Sequence, residues 1–120
     1  MKLEIFYALA SVLPRFFVGM DRDPRISRSH VVLYFSLIRQ WANSGFQGAV
    51  QLYAKEGAKE AKISISTYYN CLRDLHDFGY VYYIPSFKNN VASTIYLAIN
   101  NRYSPEQERK KMNTNKGMFY

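Results

Sequence analysis

The chain is poor in the residues that build metal centres and disulfides. It has one cysteine, Cys71, and two histidines, His30 and His76. A lone thiol cannot close an internal disulfide, and two imidazoles without further soft ligands at metal-binding spacing do not make a zinc cluster. This usage suits a reducing compartment, so a cytoplasmic location is expected. Acids are scarce too: 9 Asp and Glu face 16 Lys and Arg, a formal charge of +7, with a pI of about 9.6. A basic domain of this size points to a polyanionic partner. No apolar run approaches the roughly 18 residues that a membrane-spanning helix needs. The opening MKLEIFYALASVLPRFF carries Lys2, an apolar run and Ala8-Leu9-Ala10, as an export leader would. Glu4 and the shortness of the run argue against a leader, and no membrane partner is expected. There is no nucleophile–base pair, paired-carboxylate site or phosphate-cradling glycine loop, so neither an enzyme nor a cofactor or small-molecule ligand is expected.

What the chain has in quantity is apolar and aromatic surface. Hydrophobic residues make up 48% and aromatic residues 17% of 120 positions, enough for one domain with a sizeable core. Residues 2–13 read as a very apolar helix stopped by Pro14, with Leu3, Phe6, Leu9, Ala10 and Leu13 on one face and Ile5 and Val12 widening it. Such a helix needs cover, either from its own domain or from a second copy. Residues 15–28, with DRDPR at their centre, read as a loop. Ser27 or Ser29 can cap a long helix to about Asn43, where Val31, Phe35, Ile38 and Ala42 keep the helical period and Leu37 and Trp41 broaden it. Gly45 stands where that helix can end.

Residues 47–54 alternate as a short strand. Residues 55–62, KEGAKEAK, form a short helix with only Ala58 and Ala61 to bury. Then comes the most informative stretch, residues 63–85, ISISTYYNCLRDLHDFGYVYYIP. It opens with small hydroxylated residues and runs Tyr68, Leu72, Leu75 and Phe78 along one helical face, with Cys71 beside them. It breaks at Gly79, a residue suited to the left-handed position after a helix. It continues as an aromatic strand over residues 80–84, ended by Pro85. Residues 86–92 are a polar turn with Asn89-Asn90, and residues 93–99 return as a second strand, making an antiparallel hairpin with a basic tip at Lys88. Beyond residue 100 the chain is polar and basic, a flexible tail.

The segment resembles the recognition element of bacterial winged helix-turn-helix DNA-binding regulators, which often reads Ser-x-Ser-Thr-apolar-x-x-x-Leu-x-x-Leu-x-x-x-Gly-apolar. Here those positions are Ser64, Ser66, Thr67, Tyr68, Leu72, Leu75, Gly79 and Tyr80. The wording is also similar to small regulators carried on bacterial mobile elements. The resemblance implies an α+β, mostly α fold: a winged helix-turn-helix domain over residues 27–100 with a β-hairpin wing. An extra N-terminal apolar helix and loop over residues 1–26, for dimerisation or core cover, precede it, and a basic C-terminal tail over residues 101–120 follows. It implies sequence-specific binding of double-stranded DNA in transcription regulation, and a homodimer is the expected state. The alternatives are a winged-helix module that binds protein and a replication or mobile-element accessory factor.

In such a fold the second motif helix enters the major groove. With Tyr68, Cys71, Leu72 and Leu75 inward, Ser66, Thr67, Tyr69, Asn70 and Arg73 point outward. Ser64 and the first-turn amides can meet a phosphate, though Ser64 and Thr67 equally suit helix capping. Asn70 matches the donor–acceptor pair of adenine, and Arg73 can bond guanine or phosphate. Lys62, Lys55 and Lys59 on the preceding helix, and the wing tip of Lys88, Asn89 and Asn90, are further candidates for phosphate. Asp74 and Asp77 count against a DNA-facing helix. The eleven tyrosines invite a single-strand stacking reading, but Tyr80, Tyr82, Tyr83 and Tyr96 fall in strands, where aromatics are favoured for packing. His76 reads as a surface cation or a partner of the helix dipole.

Overall fold

The computed structural model describes residues 3–86 and 91–97. It is α+β and mostly helical. Four helices, α1 (Leu3–Arg22), α2 (Arg28–Asn43), α3 (Ala54–Ala61) and α4 (Ile65–Asp77), surround a sheet of β1 (Val50–Leu52), β2 (Tyr82–Ile84) and β3 (Ser93–Tyr96). The sheet is antiparallel in the order β1-β3-β2, with Val50 opposite Ile95 and Tyr83 opposite Ile95 on the other side. Ile95 is therefore the middle of the sheet and is fully buried. β1 shows the period of two expected of a half-buried strand, with Val50 and Leu52 inward and Gln51 outward. No helix among the described residues is long and apolar enough to cross a membrane.

The first helix departs from expectation. Pro14 does not stop it: α1 runs on to Arg22, so the loop shrinks to residues 23–27. A mid-helix proline removes one backbone bond and costs about 3 kcal/mol. The turns beyond it offset that cost. Phe16 is fully buried, stacked on Tyr34 with ring centroids 3.8 Å apart and edge-on to Tyr80 at 5.4 Å. Burying one such side chain is worth about 1.5–3 kcal/mol. Gly19 lets Tyr80 lie against α1, since a Cβ there would stand 2.1 Å from the Tyr80 hydroxyl. The inward face also differs. Val12, Phe16 and Gly19 are its buried residues, with Ala8 and Leu13 packed against the core, whereas Leu3 and Phe6 are exposed and Ala10 faces outward.

α2 has the expected span but is rotated. His30, Leu33, Tyr34, Leu37 and Trp41 are buried, while Phe35 and Ala42, expected inside, are exposed. Polar contacts at both ends set the rotation. The Ser27 backbone N–H donates to His30 Nδ1 at 2.8 Å, and His30 Nε2 meets Asp74 at 2.9 Å. Trp41 Nε1 donates to the Gly48 carbonyl at 3.1 Å. Swinging Phe35 inward would turn both His30 and Trp41 toward solvent.

α3 lies against α4 through Gly57, whose missing side chain admits the Tyr68 ring; a Cβ there would come within 2.5 Å of it. Lys62 then takes the left-handed conformation (φ 61°, ψ 44°) that turns the chain into α4. α4 ends where expected. Gly79, at φ +90°, follows it, and Tyr80 N–H returns to the Leu75 carbonyl at 2.8 Å. The strand after it is shorter than expected, beginning at Tyr82 rather than residue 80. Tyr80 and Val81 are instead buried in the joint between α4 and the sheet.

Candidate nucleic-acid interface

The candidate surface is built on α4. Its apolar positions, Tyr68, Cys71, Leu72 and Leu75, are all buried. At 3.6 residues per turn this leaves Ser66, Tyr69, Asn70 and Arg73 together on the opposite side, and each is exposed. Thr67 is half-buried at the edge of that row.

The hydroxyls at the start of α4 are engaged. Ser64 Oγ accepts the Thr67 backbone N–H at 3.1 Å and donates to Thr67 Oγ1 at 2.8 Å. The Ser64 side chain therefore caps the helix, and Thr67 Oγ1 holds it in place. A phosphate at this end would meet the open amides of Ile65 and Ser66 and the positive end of the helix dipole, rather than the Ser64 hydroxyl. Lys62 is exposed at the same end, and Lys55 and Lys59 are exposed along α3. Glu60, interleaved among these lysines, reaches across to Arg39 on α2 at 3.7 Å, which draws one acid off the lysine face.

The two acids of α4 have separate fates. Asp74 is half-buried and turned toward α2, where it accepts from His30 Nε2. Because His30 Nδ1 accepts the Ser27 N–H, the ring carries its proton on Nε2 and donates to the carboxylate. Asp77 is exposed at the last turn, away from the N-terminal half. One acid of the helix is thus drawn off toward α2, while Asp77, four residues beyond Arg73, continues the row only at its C-terminal end.

Several participants escaped the sequence reading. His30 joins α2 to α4 rather than lying idle. His76 is no surface cation: its Nδ1 accepts the Tyr83 N–H at 3.1 Å and ties the end of α4 to β2. Tyr83 itself lies beside the outward row. Burial pushes its hydroxyl pKa up, with neighbouring Tyr69 acting the same way, while a bond to Ser93 and the nearby Arg73 act against the shift. The hairpin is closed at its loop end by Ser86 N–H donating to Ser93 Oγ at 3.1 Å. Lys88, Asn89 and Asn90, the expected wing tip, lie outside the described residues, as does the basic tail.

Elsewhere the chemistry is sparse. Burial raises the pKa of Cys71, with Asp74 adding to the effect, which favours an unreactive thiol. Among the described residues no cluster of His, Cys, Asp and Glu could hold a metal ion. An open groove of about 500 Å³ runs between the end of α1 and Tyr80, lined by Arg15, Val18, Gly19, Arg22, Asp23 and Pro24. Its polar groups are largely engaged by the fold. Arg15 donates to the Gly79 carbonyl, and Asp23 takes two bonds from the Arg25 side chain and one from the Tyr80 hydroxyl. Arg25 in turn lies over the Phe78 ring at 3.9 Å. These contacts lock the α1–α2 turn against the end of α4. No family profile, no curated protein and no solved structure matches this chain.

Proposed function

We propose that this chain is a winged-helix protein that binds double-stranded DNA and regulates transcription, with α4 as the reading helix and the β2–β3 hairpin as the wing. The observation that supports the reading most is the exposed row of Ser66, Tyr69, Asn70 and Arg73, set on a helix whose opposite face is buried in the domain. A helix enters the major groove, and a row of this kind presents donors, acceptors and one cation to base edges. The amides at the start of α4 and the exposed Lys62 would hold the flanking backbone, and Lys55 and Lys59 would extend that contact. The net charge of +7 supplies long-range attraction. Replication or mobile-element control would use the same surface. The test is an anisotropy titration on a pool of duplex DNA at several salt concentrations. A steep fall in affinity with salt is expected, together with enrichment of a preferred sequence. The single base in the row, Arg73, is what favours the competing view that this face docks a protein. Affinity for duplex DNA that is absent, or indifferent to salt, would promote that view.

A further inference from the structure

α1 carries two apolar faces, and the fold uses one. Val12, Phe16 and Gly19 are buried against the domain. About a third of a turn away, Leu3, Phe6, Ala10, Leu13, Phe17 and Met20 form a second line along the whole helix. Their spacing is three, four, three, four, three, the heptad repeat of a two-stranded coiled coil. Leu13 is half-buried, but Leu3, Phe6, Phe17 and Met20 are 67%, 60%, 49% and 43% exposed. Phe35 of α2, 39% exposed, continues the patch beside Phe17, with ring centroids 6.4 Å apart. A single amphipathic helix docked on its own domain needs no second seam.

We propose that this seam pairs with the same seam of a second copy, as an antiparallel two-helix coil. Three observations select a second copy. The first is the heptad spacing, which makes the surface complementary to itself. The second is size. At ~200 Å² for a large side chain, the exposed parts of the seam and Phe35 amount to roughly 500 Å² per protomer, or about 1,000 Å² in all, the lower bound for a specific interface. The third is the composition of the chain beyond the sheet. Residues 100–120 are mostly charged and amide-bearing, and their apolar residues, Tyr103, Met112, Met118, Phe119 and Tyr120, keep no helical repeat that would match the length of the seam from within.

The antiparallel sense follows from the order of sizes. Around a centre between Ala10 and Leu13, Leu3 faces Met20, Phe6 faces Phe17 and Ala10 faces Leu13, so the one small seam residue shares its layer with a large one. A parallel pair would set Ala10 on Ala10 and leave a gap among phenylalanines, which close packing disfavours. Antiparallel helices also place Asp21 beside the positive end of the partner helix. The pairing rests on α1 and does not depend on what α4 contacts.

Sedimentation or light scattering of the full chain tests it. Twice the 14.0 kDa chain mass is expected at micromolar concentration. Phe6→Asp and Phe17→Asp should each weaken the dimer about 30-fold or more, as removal of a buried aromatic anchor does. Ser11→Asp, exposed but off the seam, should leave it intact. Circular dichroism melts at low concentration establish that each variant folds. Geometry is read separately: an equimolar mixture of Ala10→Cys and Leu13→Cys chains should form an interchain disulfide faster than either variant alone. A monomeric wild type overturns the proposal, as does a dimer indifferent to both charged variants. Cross-linking no faster in the mixture overturns the antiparallel arrangement.

Discussion

α1 and α4 are both amphipathic helices with buried aromatic residues, yet they stand in opposite relations to the rest of the molecule. The apolar face of α4 made by Tyr68, Cys71, Leu72 and Leu75 is buried by the domain; what remains outside is mostly polar and carries a capped N-terminus, Ile65 in the first turn excepted. α1 has apolar residues on two faces, and the domain buries only one. An outward polar row is at rest in water and is free to exchange water for a polar ligand. An outward apolar row is a standing free-energy deficit that only another apolar surface relieves. The same folding rule thus leaves two surfaces of different character, one polar and one apolar.

The comparison can be broken hardest within α1 itself. Phe16→Ala should cost about 3–5 kcal/mol of folding stability in urea denaturation, because it empties a fully buried site. Phe17→Ala, one residue on, should change the stability of the dilute chain by less than about 0.5 kcal/mol. Comparable losses would mean that α1 has no free face. On α4 the prediction is functional. Asn70→Ala and Arg73→Ala should each weaken binding to a preferred DNA site by about 1–3 kcal/mol with unchanged melting, and relax sequence preference. Lys88→Ala should weaken binding to all sequences alike and flatten the salt slope by about one unit. If Asn70→Ala and Arg73→Ala both fold and bind as the wild type does, α4 is not the reader.

A smaller effect probes how completely α4 is packed. The Tyr68 hydroxyl is buried with no hydrogen-bond partner among the described residues. Tyr68→Phe should therefore stabilise the protein by about 1 kcal/mol, read as a raised urea midpoint. A loss of stability would show that the hydroxyl is satisfied in solution.

The weakest effect lies in the turn that joins the two regions. Hydrogen bonds from Arg25 hold the Asp23 carboxyl well below the usual carboxylate range, with a bond from Tyr80 adding to them. A depressed carboxyl stabilises the fold above the unfolded value of about 3.9, and that contribution is lost as pH falls toward the folded value. Asp23→Asn should thus flatten the decline in stability below about pH 4 and leave the neutral-pH dependence unchanged. An unaltered acid limb in denaturation curves would remove Asp23 from the account.

Much of the helical frame was legible because its signals are local. Ser27, Ser64 and Gly79 stand at the helix boundaries that their backbone chemistry suits, and Tyr68, Cys71, Leu72 and Leu75 share one face by spacing alone. The outward row of Ser66, Tyr69, Asn70 and Arg73 followed from the same spacing, so its exposure was readable in advance. Pro14 is a local breaker, and the Phe16–Tyr34–Tyr80 cluster that carries the helix past it is assembled from residues remote in the chain. α2 misled because Val31, Phe35 and Ile38 make an apolar stripe as plausible as the true one. His30 and Trp41 turn the helix only when Asp74 and Gly48 are beside them.

Composition, periodicity and capping residues by themselves determined the number and order of the helices, the break at Gly79, the antiparallel return of the hairpin and the basic character of the whole. These depend on backbone preferences and on contacts within a few residues. Tertiary structure alone decided the length of α1, the rotation of α2, the pairing of β1 with β3, and the bonds that His30 and His76 make across elements. It alone also decided which apolar face of α1 stays outside. Each of these is a competition between near-equal local choices, and the outcome is set by partners that are remote in the chain and adjacent only in the fold.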